Sequence, residues 1–288
     1  MTPITQLAIL GLGLMGGSFA LAARRAGLAS FIIGYDPQRD VMVRAVTDGV
    51  IEQAASDPHD AVRDADVVVL AAPVRAILQL LDEIAPCLRP GTLVLDLGST
   101  KRDIVARMNT LPRHVRAVGG HPMCGKEVAG LRHAEAALFE NAPFALCATD
   151  RTDAVARATA ETIARALGAR PLWLDAAQHD TAVALVSHLP YLMSVALVAA
   201  ALETEDTAPA QLASSGFRDT SRLAASNSTM MLDILLTNRE AVLNAIENAM
   251  HALRTLSALL AVEDEAALRA RLEALAALRR AWAENQHP

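Results

Sequence analysis

The chain has 288 residues with an apolar share of 52% and only 3% aromatics, enough for a sizeable core packed mainly from Ala, Leu and Val. Its net charge of −6 provides no basic footprint for nucleic acid or for an anionic membrane, so an anionic ligand has to be met by locally placed cations. Cys87, Cys124 and Cys147 are odd in number and lack CxxC or zinc-like spacing, which argues against a disulfide scaffold and against any structural metal and fits reduced thiols in the cytoplasm.

The sequence runs at once into "TQLAILGLGLMGG" with no basic leader, so no export signal is read there. The strand-like "LAIL" is followed by Gly11, Gly13 and Gly16, with Leu12, Leu14 and Met15 between them, and then by a helical stretch. In this GxGxxG arrangement the first glycine permits a tight turn, the second admits a pyrophosphate to the backbone, and the third lets helix and strand pack closely. A second strand, "FIIGY", ends in Asp36 about 20 residues beyond Gly16, where a carboxylate can accept hydrogen bonds from an adenosine ribose. The same charge repels a 2′-phosphate and favours NAD over NADP, with Arg39 nearby as a counter-indication. The alternative for Asp36 is a helix cap before Pro37.

Further strands are expected at "DVVVL", "TLVLDL", "RAVGG", "FALCA" and "PLWL", separated by helices such as "VMVRAVTDG", "VRAILQLLDEIAPCL" and "DAVARATAETIARALG". Alternation of this kind predicts a parallel sheet covered by helices, a Rossmann-type α/β domain over residues 1–174. Ala72 and Pro73 fall at the carboxyl end of one strand, the edge where such sheets hold ligands, and are expected to touch the cofactor. Ser99 and His121 fall at the ends of the next two strands, on the same edge. From about Asp175 the pattern turns helical, predicting an all-α domain over 175–288.

The apolar run from Thr181 to Leu202 is long enough to span a bilayer, yet it carries Ser187, His188, Pro190 and Ser194, so it is read as a helix buried in protein. The C-terminal "DEAALRARLEALAALRRAW" puts Leu268, Leu272, Leu275 and Leu278 on one stripe, as in a helix packed on one side. So much small apolar surface points to a second copy of the chain, a homodimer. Asp219 and Arg222 lie three apart on one helical face, where Arg222 either binds a substrate carboxylate or bridges to Asp219 or Glu127. His188 is either a site residue or a hydrogen-bonded core histidine. His59, His114, His133, His179, His251 and His287 read as non-catalytic, and Lys101 and Lys126 as solvated or as steering an acidic substrate.

The stretches "GLGLMGGS", "DLGSTK", "GGHPMCGKE", "SHLP" and "GFRDTSRLAAS" resemble, in order and approximate spacing over nearly the whole chain, the prephenate/arogenate dehydrogenase family of tyrosine biosynthesis. The resemblance implies a Rossmann-type nucleotide domain joined to a helical dimerisation domain, with NAD-dependent oxidative decarboxylation of a cyclohexadienyl substrate in the cleft. It implies that His121 takes the proton of the C4 hydroxyl, that Ser99 orients it, and that Gly119 and Gly120 bring backbone close to the cofactor. Arg222 would bind a carboxylate with Asp219 holding it, while His188, Gly125, Lys126 and Glu127 line the pocket. Tyr191 and Met231 depart from the residues common in prephenate-using members, which leaves the choice between prephenate and arogenate open. A β-hydroxyacid dehydrogenase, which needs a lysine in the helical half, and a non-catalytic NAD-binding sensor are the competing readings; no lysine follows Lys126.

Overall fold

The computed structural model describes residues 4–126 and 128–286, so the expectation placed on Glu127 lies outside the described residues. The chain forms two compact units, Met1–Arg239 and Glu240–Pro288. The first is built on β1 (Ile4–Leu10), α1 (Leu14–Arg25), β2 (Ala29–Tyr35), α2 (Arg39–Thr47), β3 (Gln53–Ala54), α3 (Pro58–Val62), β4 (Val67–Leu70), α4 (Val74–Ile84), β5 (Leu93–Asp96), α5 (Arg102–Met108), β6 (Arg116–Pro122), β7 (Pro143–Ala148), α6 (Ala154–Ala166) and β8 (Arg170–Trp173). The eight strands form one sheet in the order β3-β2-β1-β4-β5-β6-β7-β8.

Side chains alternate across this sheet with period two, so Leu7 and Ile9 enter one apolar layer while Ala8 and Leu10 enter the other. Phe19 of α1 and Ile163 of α6 cover the first face; Ile77 and Leu81 of α4 and Ile104 of α5 cover the second. With both faces covered, β4 and β5 are buried at every position, which is why they read as unbroken apolar runs. One pairing departs from the expected parallel sheet: β7 runs antiparallel to β6. A parallel return needs a crossover, commonly a helix, and among its described residues the segment between these strands supplies only a 3₁₀ turn at Leu131–His133. The short β3, α3 and α5 were not expected, being too brief to carry a period.

At the carboxyl end of β5 the sequence places a charge inside the protein. Asp96 accepts from the amides of Gly98 (2.7 Å) and Gly120 (2.9 Å) and pairs with Lys101 Nζ, both side chains being fully buried. Lys101 is therefore neither solvated nor available to steer a substrate. Its burial follows from that partner, since a buried ammonium is tolerated where a carboxylate meets it. The glycines before His121 are also required by the packing around this pair. A Cβ on Gly120 would stand 2.4 Å from the Asp96 carbonyl oxygen, and one on Gly119 would press on Val105, Cys147 and Lys101. Their close approach is to the neighbouring strand and to this ion pair.

The rest of the first unit is helical: α7 (Ala176–Val183), a π-helical turn at Ala184–His188, α8 (Leu189–Leu202), α9 (Ala208–Leu212), α10 (Ser215–Ser221), a 3₁₀ turn at Arg222–Ala225, and α11 (Ser228–Thr237). Asp175 caps α7 by accepting from Ala177 and Gln178 amides, and Asn227 caps α11 through Met230. The apolar run proves to be continuous helix from Ala176 to Leu202, long and apolar enough to cross a membrane, with 22% of its apolar window buried. It is thus not the buried helix expected: Leu185, Val186, Met193 and Val195 face outward. Helices α12 (Arg239–Ala261) and α13 (Glu265–Gln286) make up the second unit. The leucine stripe of α13 is likewise exposed at Leu272, Leu275 and Leu278.

Replacing Lys101 by Met strands the Asp96 charge in an apolar interior, and breaking such a pair from one side costs about 3 kcal/mol. Urea denaturation of Lys101→Met should show a loss of that order, whereas Lys126→Met, at an exposed pair with Glu135, should change stability by less than about 1 kcal/mol.

Candidate active site

The loop between β1 and α1 is shaped by its glycines in three ways. Gly11 has φ +96°, and a Cβ there would lie 2.4 Å from the Ala71 carbonyl oxygen. A Cβ on Gly16 would meet the Gly11 carbonyl oxygen at 1.9 Å. Around Gly13 nothing lies within 4 Å, so the space in front of the α1 N-terminus is open. Leu12 is buried beneath the loop and Met15 packs against the core, while Ala71, next to Ala72 and Pro73 at the end of β4, closes the far wall. Asp36 accepts from the Leu12 amide (2.9 Å) and the Gln38 amide (3.0 Å). It braces the glycine loop from the end of β2 and makes the local turn at Pro37, but it does not cap α2, whose N-cap is Gln38 with no side-chain cap bond.

Three strands along the same edge, His121 ends β6. Its Nδ1 lies 2.9 Å from His179 Nε2, with the rings edge to face. His179 Nδ1 lies 2.8 Å from Asp180 Oδ1. Asp180 also accepts from the backbone amides of Lys101 (2.7 Å) and Arg102 (2.9 Å) at the start of α5. Asn238 donates to the Asp180 carbonyl (2.7 Å) and sits 3.3 Å from His188 Nδ1. Asp96, Lys101, His121, His179, Asp180, His188 and Asn238 thus form one cluster in which two helices, α5 and α7, meet two strand ends.

Electrostatics in this cluster disfavour cationic histidine. Burial holds the His121 imidazole well below its ordinary pKa, with the neighbouring His179, Lys101 and His188 adding to the effect. His188 is brought down to about 4, chiefly by burial, with Asp180 opposing and His179 adding to the effect. Burial pushes the Asp180 carboxyl up, but hydrogen bonds from His179, Arg102 and Lys101 outweigh it and hold it below the usual carboxylate range. Burial also raises the thiols of Cys124, to about 11, and Cys147, to about 12, so neither serves as a nucleophile near neutrality.

The other expected residues are placed more loosely. Ser99 is half-buried between Asp96 and Lys101, on the loop leading to α5. Arg222 and Asp219 are exposed, and Asp219 meets its neighbour Arg218 at 3.3 Å. Gly125 and Lys126 are exposed on the loop after β6, where Lys126 pairs with Glu135 at 2.8 Å. His179 was dismissed as a surface histidine and is instead buried against His121. The signal available for it was the His-Asp dipeptide one turn past the Asp175 cap, at the start of an otherwise apolar run.

Comparison with known proteins fits this arrangement. Residues 19–172 match the family model described as prephenate dehydrogenase, nucleotide-binding domain, and residues 175–274 that described as prephenate dehydrogenase, dimerization domain. The chain belongs to the prephenate dehydrogenase family. It is 34% identical to the prephenate dehydrogenase of Bacillus subtilis (strain 168) over 82% of this chain, and spans 65% of that protein's length. The structure of prephenate dehydrogenase from A. aeolicus in complex with hydroxyphenyl propionate and NAD+ superposes with a TM-score of 0.90, at 30% identity over 96% of this chain and 97% of the other. Synechocystis arogenate dehydrogenase superposes at 0.85, with 31% identity over 96% and 100%.

A dinucleotide, the group this family model implies, fits the residues present. The pocket before Gly13 is open, α1 presents its N-terminal amides there, and Asp36 stands at the end of β2. Two substitutions separate loop packing from ligand contact. Gly16→Ala drives a Cβ into the Gly11 carbonyl and should lower both melting temperature and NAD affinity, the latter at least tenfold by calorimetry. Gly13→Ala meets no protein atom and should leave stability within about 0.5 kcal/mol while still weakening NAD binding; unchanged affinity would show that this loop does not carry the pyrophosphate.

Proposed function

We propose that the chain catalyses oxidative decarboxylation of a cyclohexadienyl acid, prephenate or arogenate, with NAD as the hydride acceptor. The observation that carries this reading is His121: a neutral imidazole at the carboxyl end of β6, on the sheet edge that also holds the glycine loop. Family membership and the likeness to enzymes named for prephenate and for arogenate support it.

When bound, the nicotinamide accepts hydride from C4 of the substrate ring. The chain's own part is to manage charge around that event. His121, through the nitrogen that His179 does not engage, accepts the proton of the C4 hydroxyl, which only the uncharged ring can do. As that proton leaves, carbonyl character builds at C4, the ring carboxylate departs as CO2, and the ring becomes aromatic. Ser99, on the loop two residues before Lys101, hydrogen-bonds the same hydroxyl. Arg222 meets a substrate carboxylate by a charge-assisted, bidentate contact. His188 lines the pocket as a neutral ring, and Gly125 and Lys126 border it on the loop after β6.

Asp36 supports NAD over NADP, because its carboxylate already faces the glycine loop and would oppose a 2′-phosphate. The helical residues from 175 onward constitute the substrate and dimerisation half. The outward apolar residues of α8 and the match to a dimerization domain support a homodimer in the cytoplasm.

Two measurements test these statements. Initial rates of reduced-cofactor formation at 340 nm, with prephenate and arogenate each offered with NAD and with NADP, should show turnover with at least one substrate and a preference for NAD; in His121→Asn turnover should drop by about 10²–10⁴ with NAD binding unchanged. Silence in all four combinations, with NAD bound, would overturn the enzymatic reading. Sedimentation at micromolar concentration should give a dimer, and Val186→Glu, at an outward-facing position of the π-helical turn before α8, should shift it towards monomer.

A further inference from the structure

We propose that His179 and Asp180 are positioning residues that fix His121 in the tautomer bearing hydrogen on Nδ1, so that Nε2 is the nitrogen presented to the substrate hydroxyl. The inference deepens the reading of His121 as the base and rests on it.

The hydrogen-bond chain fixes the tautomers one after another. Asp180 receives amide hydrogens from Lys101 and Arg102, on Oδ1 and Oδ2 respectively, so it can hold its charge at the start of α5 without needing a cation. As a carboxylate it only accepts, so the hydrogen in its 2.8 Å contact with His179 belongs to His179 Nδ1. A neutral His179 then offers a lone pair at Nε2, and the hydrogen in the 2.9 Å contact with His121 belongs to His121 Nδ1. His121 Nε2 is left unprotonated. Had His179 been cationic it would donate instead, His121 would carry hydrogen on Nε2, and no base would face the substrate. The same chain also receives the charge once the proton is taken. When Nε2 of His121 gains the hydroxyl proton, its Nδ1–H bond to His179 becomes charge-assisted, and Asp180 lies behind it.

The charged and titratable groups facing His121 are His179 from α7, His188 from the π-helical turn and Lys101 from the loop before α5. Lys101 is neutralised by Asp96, and His188 stays neutral above a pH of about 4. The local source of negative charge that reaches His121 through a hydrogen bond is therefore Asp180.

The test has one arm that does not depend on turnover. Nitrogen-15 correlation spectra of imidazole-labelled wild type should show His121 protonated on Nδ1 and bare on Nε2; the reverse tautomer overturns the proposal whatever the enzyme's substrate proves to be. In the kinetic arm, His179→Leu should lower kcat on the order of 10² while KM for substrate and NAD stays within about threefold. His179→Gln, whose amide oxygen can accept the same bond, should restore a large part of the rate. A glutamine variant no better than leucine overturns the proposal. If wild type has no activity on either substrate while the spectra show the Nδ1–H tautomer, the reading of the reaction fails and the positioning chain stands.

Discussion

The geometry of the site depends on one buried carboxylate. Asp96 closes β5, and by accepting from Gly98 and Gly120 it binds the end of its own strand to the end of β6, one residue before His121. Lys101 neutralises it from the loop that leads to α5, and the Lys101 backbone amide in turn donates to Asp180. A single ion pair thus joins the two strand ends and, through α5, reaches the helix that carries His179. Each of these groups is buried, where an unmet donor or charge costs several kcal/mol. The network therefore tolerates few alternative arrangements, and this is what makes His121 a fixed group rather than a turn residue.

The same network explains how three histidines share a small volume. An imidazolium at His121 or His188 is opposed by burial and by its neighbours, so these two rings are held neutral. Asp180 is held as a carboxylate because helix α5 supplies two amides to it. Charge in the cluster thus lies at Asp180 and at the Asp96–Lys101 pair, away from His121 Nε2. An imidazole with its pKa lowered by burial is less basic, yet it stays unprotonated near neutrality, which is the state able to accept a proton.

Much of this was legible in the sequence. The glycine loop, Asp36, Ser99 and His121 could be placed because each follows an unbroken apolar strand, and a parallel sheet gathers its strand ends on one edge. The sheet's reversal at β7 was not legible, since the segment between β6 and β7 carries no period and neither strand encodes its direction. Lys101 was misplaced for a related reason: a lysine after a glycine turn reads as solvated unless its partner five residues earlier is known to be buried. His179 was missed because its contact with His121 spans 58 residues, and local pattern registers only a His-Asp pair on a helix. The reason for Gly119 and Gly120 was similarly out of reach, depending as it does on the carbonyl and side chain of the adjacent strand.

The long helix from Ala176 to Leu202 shows how polar residues decide the fate of an apolar segment. Its composition would suit a bilayer, but His179, Asp180, His188 and Ser194 are all buried on the side that meets the sheet and α10. Each has a hydrogen-bond partner there: His121, the α5 amides, Asn238 and the Thr220 carbonyl. Asp180 in particular could not enter lipid as a carboxylate without losing the amides that hold it. The polar side chains anchor the helix to this cluster, while Val186 of the π-helical turn and Val195 of α8 leave apolar surface uncovered on it. A second copy placed on that surface would bury it against the very helix whose His179 meets His121, so that association and the His121 cluster would share a structural element.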